Sequence, residues 1–218
     1  MATVDVERRA EIGRQKRART RASLIDVALT LLADRGFDAP TIDDFIAAAD
    51  VAKGTFYNHF KTKEELVLAA AGHVADSVDA LILPHFRGVS DPAHRVAIAV
   101  RLFIRISKAR RDWGWILVRT TPAARGAWSE DMRRGVLADI RNGRRLGRFE
   151  VPSIQAAVAL GMGTLAMAIR TTLTERTPQS FPEMIAAMML QGLGMDKAEA
   201  ERVANLALPE EGPLQGTA

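Results

Sequence analysis

Residues 41 to 60, TIDDFIAAADVAKGTFYNHF, carry the pattern that most constrains the fold of this chain. Thr41 is followed three residues later by Asp44, a spacing typical of a capping box at the start of a helix. Apolar residues then recur with helical spacing at positions 42, 45, 46 and 49, which predicts a short helix with one buried face. Asp50 follows, a residue that tolerates the left-handed backbone of a sharp turn, though less freely than glycine. The pattern therefore predicts a helix that ends in a tight turn.

A second short helix is predicted from about residue 52 to residue 59. Phe56 and Phe60 lie one turn apart and form its inner side. The outward positions carry only hydrogen-bonding, cationic and aromatic side chains, namely Lys53, Thr55, Tyr57, Asn58 and His59. A helix with such an exposed face suits the major groove of DNA. The spacing alone is a moderate signal, because many short helix pairs have no connection with DNA.

The literal residues are a stronger signal than the spacing. They are Thr20-Arg21, Leu24-Ile25-Asp26, Gly36-Phe37, Thr41-Ile42, Ala47-Ala48, Gly54-Thr55-Phe56-Tyr57, His59-Phe60 and Lys63-Glu64-Glu65-Leu66. With these motifs, residues 18 to 68 resemble the signature of the tetracycline-repressor (TetR) family of bacterial regulators. Two positions depart from the family pattern: Asp50 stands where the family usually has glycine, and Ala52 stands where it often has serine. Both departures concern the entry to the second helix.

The composition narrows the class of protein. The chain has 218 residues, enough to bury one sizeable core, or one small domain plus a larger one. Cysteine is absent, which excludes disulfides, thiolate metal sites and a cysteine nucleophile, and which suits a reducing cytosol. The N-terminal residues lack the apolar stretch of a secretory signal. We therefore expect a cytoplasmic protein.

The charge is distributed unevenly along the chain. The 30 basic and 26 acidic residues give a net charge of only +4, yet seven basic residues fall within the first 21 positions. Residues 1–16 are predicted to form a flexible basic arm, and Arg19 and Arg21 are candidate DNA contacts. Beside a helix-turn-helix, such a segment suits phosphates or the minor groove. A solvated leader without DNA contacts is the alternative.

Helix signals flank the central motif on both sides. A helix is predicted from about residue 17 to residue 35, with Gly36 as the residue that ends it. Thr62 and Glu65 fit a second capping box, and Pro84 ends the helix that starts there. No linker rich in glycine, serine or proline precedes that helix, so we expect it to be shared between two domains.

Further helix signals continue to the C-terminal end. The predicted starts are Asp91-Pro92, Asp112, about residue 128, Pro152, Ser180 with Pro182, and Asp196 with Glu199; Gly143 and Gly147 break the pattern after residue 142. The helix that opens at Pro152 is predicted to reach about residue 175, and the last helix about residue 208. Neither a strand pattern nor an internal repeat is found in the sequence. The predicted fold class is all-α.

The predicted organisation combines this pattern with the resemblance. It has an arm over residues 1–16, a helix-turn-helix DNA-binding domain over 17–62, a helical domain over 63–208 and a frayed tail over 209–218. The resemblance implies that the helical domain binds a ligand and forms the dimer, and that it is joined to the three-helix DNA-binding unit through the shared helix.

The segment IQAAVALGMGTLAMAI, residues 154 to 169, is apolar on nearly every side. A membrane span needs about 20 apolar residues, so this shorter run favours a buried helix. Its small residues would let another helix approach closely. The resemblance implies that this helix and the next one form a four-helix bundle with a second subunit. The candidate interface residues are Ala157, Gly161, Met162, Met184 and Met188.

The resemblance also places DNA contacts on matched positions. Thr41 and Lys63 would bind phosphates with help from helix N-terminal amides, and Tyr57 and His59 would meet the backbone. Lys53, Thr55 and Asn58 are candidates near base edges. The alternative for Thr41 is a purely capping role, and the alternative for Tyr57 and His59 is half-buried packing.

A ligand pocket is implied inside the helices that follow the DNA-binding unit. The candidate lining residues are His73, Phe103, Trp113, Trp115, Ile116, Met132 and Met167, and residues of these types are more often plain core than pocket wall. Nothing in the sequence fixes the identity of the effector. No cofactor is expected.

Signals for catalysis are poor. The four histidines lack metal-ligand spacing with carboxylates, and neither a P-loop nor a G-x-S-x-G elbow occurs. No catalytic residue and no metal site are therefore predicted, and an enzyme is the weakest of three hypotheses. The preferred hypothesis is a dimeric, ligand-responsive repressor that reads an inverted repeat on double-stranded DNA. The alternative is a helical protein-interaction module that has kept the fold without specific DNA binding.

Overall fold

The computed structural model describes residues 2–120 and 130–209, with side chains over 8–120 and 133–209. Within these ranges the chain forms ten α-helices and one 3-10 helix and contains no strand. The all-α prediction is therefore confirmed. The chain divides into two compact units, and the boundary between His73 and Val74 falls inside one helix.

The first unit begins with a helix much longer than predicted. Helix α1 spans Ala2–Arg35, so residues 2–16 are helical. The sequence pattern had predicted a flexible arm over these residues and a helix that starts near residue 17. No proline interrupts this stretch. Glu11 accepts hydrogen bonds from Arg14 and Gln15 across one helical turn. Side-chain pairs at this spacing support a helix.

Three further helices complete the first unit. They are α2 (Ile42–Ala48), α3 (Lys53–His59) and the first part of α4 (Lys63–Ile82). The apolar stripe of α1 and the inner faces of the other helices form one core, made of Leu24, Ile25, Ala28, Leu32, Phe45, Phe56, Phe60, Leu66 and Ala70. Burying apolar side chains in this way contributes roughly 1.5–3 kcal/mol for each large residue. The predicted inner side of the second short helix, Phe56 and Phe60, is confirmed.

The second unit is built around a central helix. After the end of α4 come a 3-10 helix (Leu83–Phe86), α5 (Pro92–Ala109), α6 (Arg111–Thr120), α7 (Glu130–Arg145), α8 (Ile154–Thr174), α9 (Phe181–Gly192) and α10 (Lys197–Ala204). Helix α5 packs against each of the helices from α6 to α10. Its start is fixed by Asp91, whose side chain accepts from the amide of Ala93, with Pro92 as the first helical residue. This start agrees with the prediction.

Several predicted boundaries are corrected. Helix α6 starts at Arg111, so Asp112 lies in its first turn and does not precede it. Helix α7 runs through Gly143 to Arg145, and the ring of Phe149 packs where a side chain at position 143 would otherwise stand. Helix α10 ends at Ala204, before the predicted end near residue 208. The predicted start of a helix near residue 128 and the predicted tail beyond residue 209 lie outside the described residues.

A buried ion pair joins α5 to α9. Arg101, which is almost fully buried, donates from Nε to Oε1 of Glu183 at 2.9 Å and from Nη1 to the carbonyl oxygen of Leu206 at 2.7 Å. Arg105 also donates to the same carboxylate oxygen. Because Arg101 is withdrawn from water, removal of Glu183 would leave its buried charge uncompensated, whereas Arg105 would still pair with Glu183 after removal of Arg101.

Two stretches are long and apolar enough to cross a membrane by length and composition: Lys63–Phe86 and Ile154–Thr174. The second is α8, which packs against α5, α6, α7 and α9. Leu165, Ile169 and Leu173 on α8 are buried within the unit. The prediction that this helix is buried in the subunit's own core is therefore confirmed for one of its sides.

Candidate nucleic-acid interface and effector pocket

Thr41 caps α2 with a complete capping box. Its hydroxyl accepts from the amide of Asp44 at 3.2 Å, and its own amide donates to Oδ2 of Asp44 at 2.7 Å. The Thr41 hydroxyl also donates to Oδ2 of Asp44 at 2.6 Å. This hydroxyl bond is the largest cause of the lowered pKa of Asp44, followed by the bond from the Thr41 amide, with Arg35 as a further cause. The predicted cap is confirmed. Because the Thr41 hydroxyl and the amide of Asp44 are engaged in it, the other first-turn amides are the groups that remain for an anion at this helix start.

The turn between α2 and α3 has two unusual residues. Asp50 adopts φ 49°, the left-handed region that the sequence analysis assigned to it. Ala52 is the N-cap of α3 and provides no side-chain cap. Both departures from the family pattern therefore have a visible structural consequence, although α3 forms in spite of them.

Helix α3 presents the side chains expected at a DNA-reading face. Lys53 is 66% exposed, with Nζ 3.4 Å from Oδ1 of Asp43, a weak surface pair that DNA can replace at little cost. Tyr57 and Asn58 are exposed, whereas Thr55 and His59 are half-buried.

The pKa of His59 lies below its usual value, chiefly because of burial and secondly because of the positive charges of Arg17 and Arg21. The structure therefore combines, for His59, the two roles considered from the sequence: partial packing and access to the surface.

The remaining predicted DNA contacts lie on α1 and at the start of α4, within the first unit. Lys63, at the start of α4, donates from Nζ to the carbonyl oxygen of Asp38 at 3.2 Å. The guanidinium of Arg21 lies 4.9 Å from the centre of the Phe60 ring. Arg19 is exposed on α1. All three side chains thus belong to the surface of the unit that carries the helix-turn-helix.

A cavity of about 240 Å³ lies in the second unit. Its wall is formed by the end of α4, the 3-10 helix, α5, α7, α8 and α9. Most lining residues are apolar: Ile82, Leu83, Phe86, Val96, Ala99, Val100, Phe103, Val136, Ile140, Ala157, Val158, Met162, Leu165, Met189 and Leu193 line it, together with Gly135 and Gly161. Three charged residues also line it: Asp79, Arg95 and Asp139. An apolar cavity with a few polar groups is the usual form of a small-molecule site.

The charged groups of the cavity are held in place. Arg95 donates from Nε to Oδ1 of Asp139 at 2.7 Å, and its guanidinium lies 4.1 Å from the centre of the Phe86 ring. Burial raises the pKa of Asp139, and this effect outweighs the lowering by Arg95. The pair therefore supplies a fixed hydrogen-bonding group inside an apolar wall.

The lining of this cavity was predicted from the sequence only in part. Of the seven predicted lining residues, Phe103 lines it, and the side chain of Met132 lies outside the described residues. The other five do not line it. His73 is an exposed residue of the first unit, and Met167 is 55% exposed. The Trp113 ring centre lies 4.2 Å from the guanidinium carbon of Arg110, Trp115 is half-buried, and Ile116 belongs to the core.

The polar lining residues were missed, although a signal existed. Asp79 lies between buried Val78 and Ile82, and Asp139 precedes buried Ile140. A carboxylate at a core-facing position of a helix is uncommon without a partner. The carboxylates of Asp79 and Asp139 therefore indicate a polar group in a cavity wall only once the helix that faces them is known.

Helices α8 and α9 expose an apolar surface on the second unit. We name it the α8–α9 apolar face and define it by Leu160, Met167, Met184 and Met188, which are 41%, 55%, 50% and 64% exposed.

Of the five predicted interface residues, Met184 and Met188 lie on this face. The other three, Ala157, Gly161 and Met162, line the cavity instead. The sequence could not separate the two sides, because α8 is apolar all round. Among the described residues, no group of histidines and carboxylates suits a metal ion.

Comparison with known proteins gives matches over both units. The sequence model "Bacterial regulatory proteins, tetR family" matches residues 24–70, and the model "Tetracyclin repressor-like, C-terminal domain" matches residues 91–206, about half of the chain. The repressor KstR2 of Rhodococcus jostii is 45% identical over 47 residues, which cover 22% of this chain and 23% of that protein. The regulator HbdR of an Aromatoleum species is 26% identical over 141 residues, 65% of this chain and 58% of that one. The matched part thus spans less than two thirds of these curated relatives.

A solved structure matches almost the whole chain. The crystal structure of RolR in complex with resorcinol superposes with a TM-score of 0.73 at 32% identity, covering 90% of this chain and 98% of that one. RolR without ligand gives a TM-score of 0.68 at 31% identity, with 87% and 98% covered. Together with the match to residues 91–206 and the helix-turn-helix geometry, these findings show that the chain belongs to the TetR family of transcriptional regulators.

Proposed function

We propose that this protein is a cytoplasmic homodimeric repressor that binds an inverted-repeat operator and is released from it by a small molecule. The observation that carries the DNA-binding part is the exposed face of α3, which follows a capped α2 after a tight turn. KstR2 and related curated proteins are named as transcriptional repressors, which favours negative regulation.

The residues on this face have distinct roles in the proposal. Lys53, Thr55 and Asn58 contact base edges and set sequence preference. Tyr57 and His59 contact the DNA backbone, as do residues at the start of α2 and α4, and these contacts set register. Exchange of Lys53 for alanine then changes the preferred sequence, whereas exchange of Tyr57 for phenylalanine weakens binding to all sequences alike.

The α8–α9 apolar face supports the dimer. It has four large apolar side chains exposed on two adjacent helices. Larger exposed apolar surfaces of soluble proteins commonly bind a partner. A two-fold axis beside α8 and α9 would pair the face with itself, since the same patch serves both subunits of a symmetric dimer. The two helix-turn-helix units of the dimer then bind successive major grooves, roughly 34–36 Å apart.

The cavity supports a small effector. Its volume of about 240 Å³ lies below the roughly 300–1,000 Å³ of pockets for drug-sized ligands. Its described lining residues include two carboxyl groups, Asp79 and Asp139, and one guanidinium, Arg95, that Asp139 already engages. Among the described lining residues there is no surplus positive charge for a carboxylate ligand, and carboxyl oxygens are acceptors for hydroxyl donors.

We infer from this lining that the effector is a small, neutral, hydroxylated aromatic compound. The resorcinol bound by RolR belongs to this class. Such a compound would release the operator because it prefers the protein conformation that does not fit two adjacent half-sites.

Competition on an operator duplex tests the effector class. Resorcinol, benzoate and benzylamine are added in turn to the wild-type complex, and release is followed by fluorescence anisotropy. We expect release by resorcinol and none by benzoate. Asp139→Asn weakens the response to resorcinol, whereas the matched exchange Asp76→Asn, at an exposed position of α4, leaves it unchanged. Release by benzoate alone contradicts the proposed class of effector.

A further inference from the structure

A second cleft lies in the first unit, between α1 and the C-terminal end of α3. It has a volume of about 430 Å³ and is lined by Gly13, Lys16, Arg17, Thr20, Asn58 and His59. Neither Lys16 nor Arg17 belongs to the DNA contacts that the family resemblance implies. The cleft exists because α1 begins at Ala2 and not near residue 17. Its additional turns therefore flank the C-terminal end of α3.

The cleft has a fixed geometry. Arg17 donates from Nη2 to the carbonyl oxygen of Asn58 at 3.2 Å, a bond between residues 41 positions apart. This bond ties α1 to the last turn of α3 and leaves other N–H groups of the same guanidinium for a ligand. Glycine at position 13 leaves open space on α1, since no atom lies within 4 Å of where its side chain would begin.

The cleft is positively charged. None of its six described lining residues carries a carboxylate. The acidic residue nearest along α1 with a described side chain, Glu11, is engaged by Arg14 and Gln15. The pKa of His59 is lowered chiefly by burial and secondly by the positive charges of Arg17 and Arg21. An anion placed here would meet Lys16, Arg17 and the imidazole of His59.

We propose that this cleft binds one phosphate of the DNA backbone, held by Lys16 and Arg17 beside His59. The inference rests on the proposed operator binding and adds a contact beyond those at Thr41 and Lys63. The backbone of the duplex is the source that the position favours, because the cleft adjoins the end of the helix proposed to lie in the major groove. A free phosphate ion has the same chemistry and is the other source to be distinguished.

A matched pair of variants tests the proposal on the full-length protein. Lys16→Gln and Arg14→Gln each remove one positive charge from α1, two residues apart, but only Lys16 lines the cleft. Affinity for the operator is measured from low to high salt. We expect Lys16→Gln to reduce the slope of log K against log salt by about 1.8, the value of two lost phosphate contacts, one from each subunit of the dimer, with Arg14→Gln close to wild type. Equal slopes for both variants overturn the proposal.

Operator duplexes that carry a single neutral methylphosphonate identify the phosphate. One position should weaken wild-type binding but leave Lys16→Gln unaffected, and absence of such a position overturns the proposal. Inorganic phosphate alone is also titrated against both proteins and followed by thermal stability. Stabilisation of wild type by phosphate, together with unchanged operator binding of Lys16→Gln, assigns the cleft to a free anion and overturns the DNA contact. Failure of the wild type to select any operator would instead contradict the proposed function itself.

Discussion

Arg95 and Asp139 form an ion pair in the wall of the second unit's cavity, with 2.7 Å between Nε and Oδ1. The two side chains come from α5 and α7, so the pair joins two helices that both line the cavity. Their exposed fractions are 26% and 14%, and water therefore screens the pair only partly. The pair is thus placed to contribute both to stability and to effector binding.

The strength of this pair is measurable without a ligand. Removal of either side chain leaves a partly buried charge, so we expect Arg95→Ala and Asp139→Ala each to lower the free energy of unfolding by about 1–3 kcal/mol. The double variant should lose less than the sum, with a coupling energy of about 0.5–3 kcal/mol in urea unfolding. A coupling energy of zero would show that the two groups do not interact in solution.

Operator binding should strengthen as pH falls toward the ordinary pKa of histidine. His59 has a lowered pKa in the free protein, and the charged groups around it are Lys16, Arg17 and Arg21, all basic. A phosphate would favour the protonated imidazole, so binding takes up a proton and gains affinity as pH decreases. His59→Gln should remove this gain between pH 8 and pH 6. An equal pH dependence in both proteins would exclude His59 as its source.

Folding stability should respond to pH in the opposite direction at the same residue. Because the pKa of His59 is lower in the native state than in the unfolded state, its contribution is fully present above the unfolded value of about 6.5. It is lost as pH falls through the native pKa. The difference in unfolding free energy between wild type and His59→Gln should therefore shrink on acidification. The pKa of His94 is also lowered, but His94 is present in both proteins, so its contribution to the difference in unfolding free energy cancels.

The turn at Asp50 should tolerate glycine and reject a branched residue. With φ 49°, the backbone lies where most side chains cost about 1–2 kcal/mol. We expect Asp50→Gly to raise stability by up to about 1 kcal/mol, partly offset by the greater freedom of glycine in the unfolded chain. Asp50→Val should lower it by at least about 1 kcal/mol. Thermal unfolding measures both, and equal melting temperatures for the two variants would contradict the backbone assignment.

Gly143 should not accept a side chain. An added Cβ would lie 2.0 Å from Cδ2 of Phe149, whose ring is buried. Gly143→Ala is therefore expected to destabilise by about 1–3 kcal/mol despite the better helix propensity of alanine. Gly135→Ala, on the same helix with no atom within 4 Å of its added Cβ, is the matched control and should stabilise by roughly 0.5–1 kcal/mol. A stable Gly143→Ala protein would refute this packing.

The α8–α9 apolar face should determine the oligomeric state. Met188 is its most exposed member, and a buried glutamate at an interface without a partner is strongly unfavourable. Met188→Glu is expected to give a monomer in sedimentation experiments and to lose operator affinity. Leu146→Glu, an exchange at a similarly exposed apolar residue outside this face, should remain dimeric. Dimeric Met188→Glu protein would move the interface elsewhere.

The helix-turn-helix was predictable because its signals are local. The capping box of Thr41 and Asp44, the left-handed Asp50 and the inner pair Phe56 and Phe60 each act within a few residues, and all are found in the structure. The family motifs added the contact roles, which remain predictions.

The sides of α8 and the lining of the cavity were not predictable in the same way. Because α8 is apolar all round, periodicity cannot separate Ala157 and Met162, which line the cavity, from Met167, which is exposed. The partnership of Arg95 with Asp139 joins residues 44 positions apart and depends on how the helices pack. The helical conformation of residues 2–16 was not predicted, because a segment rich in basic residues is also typical of an unstructured arm.

Selection of bound duplexes from a random pool by the purified protein is the most direct test of operator binding. We expect recovery of an inverted repeat whose half-sites are separated by about one helical turn or a little more, with wild-type affinity falling steeply as salt rises. Resorcinol-type compounds should then reduce the recovery. Retention of no motif even at low salt would rule out a dimeric DNA-binding repressor and would favour a helical module that acts through protein contacts.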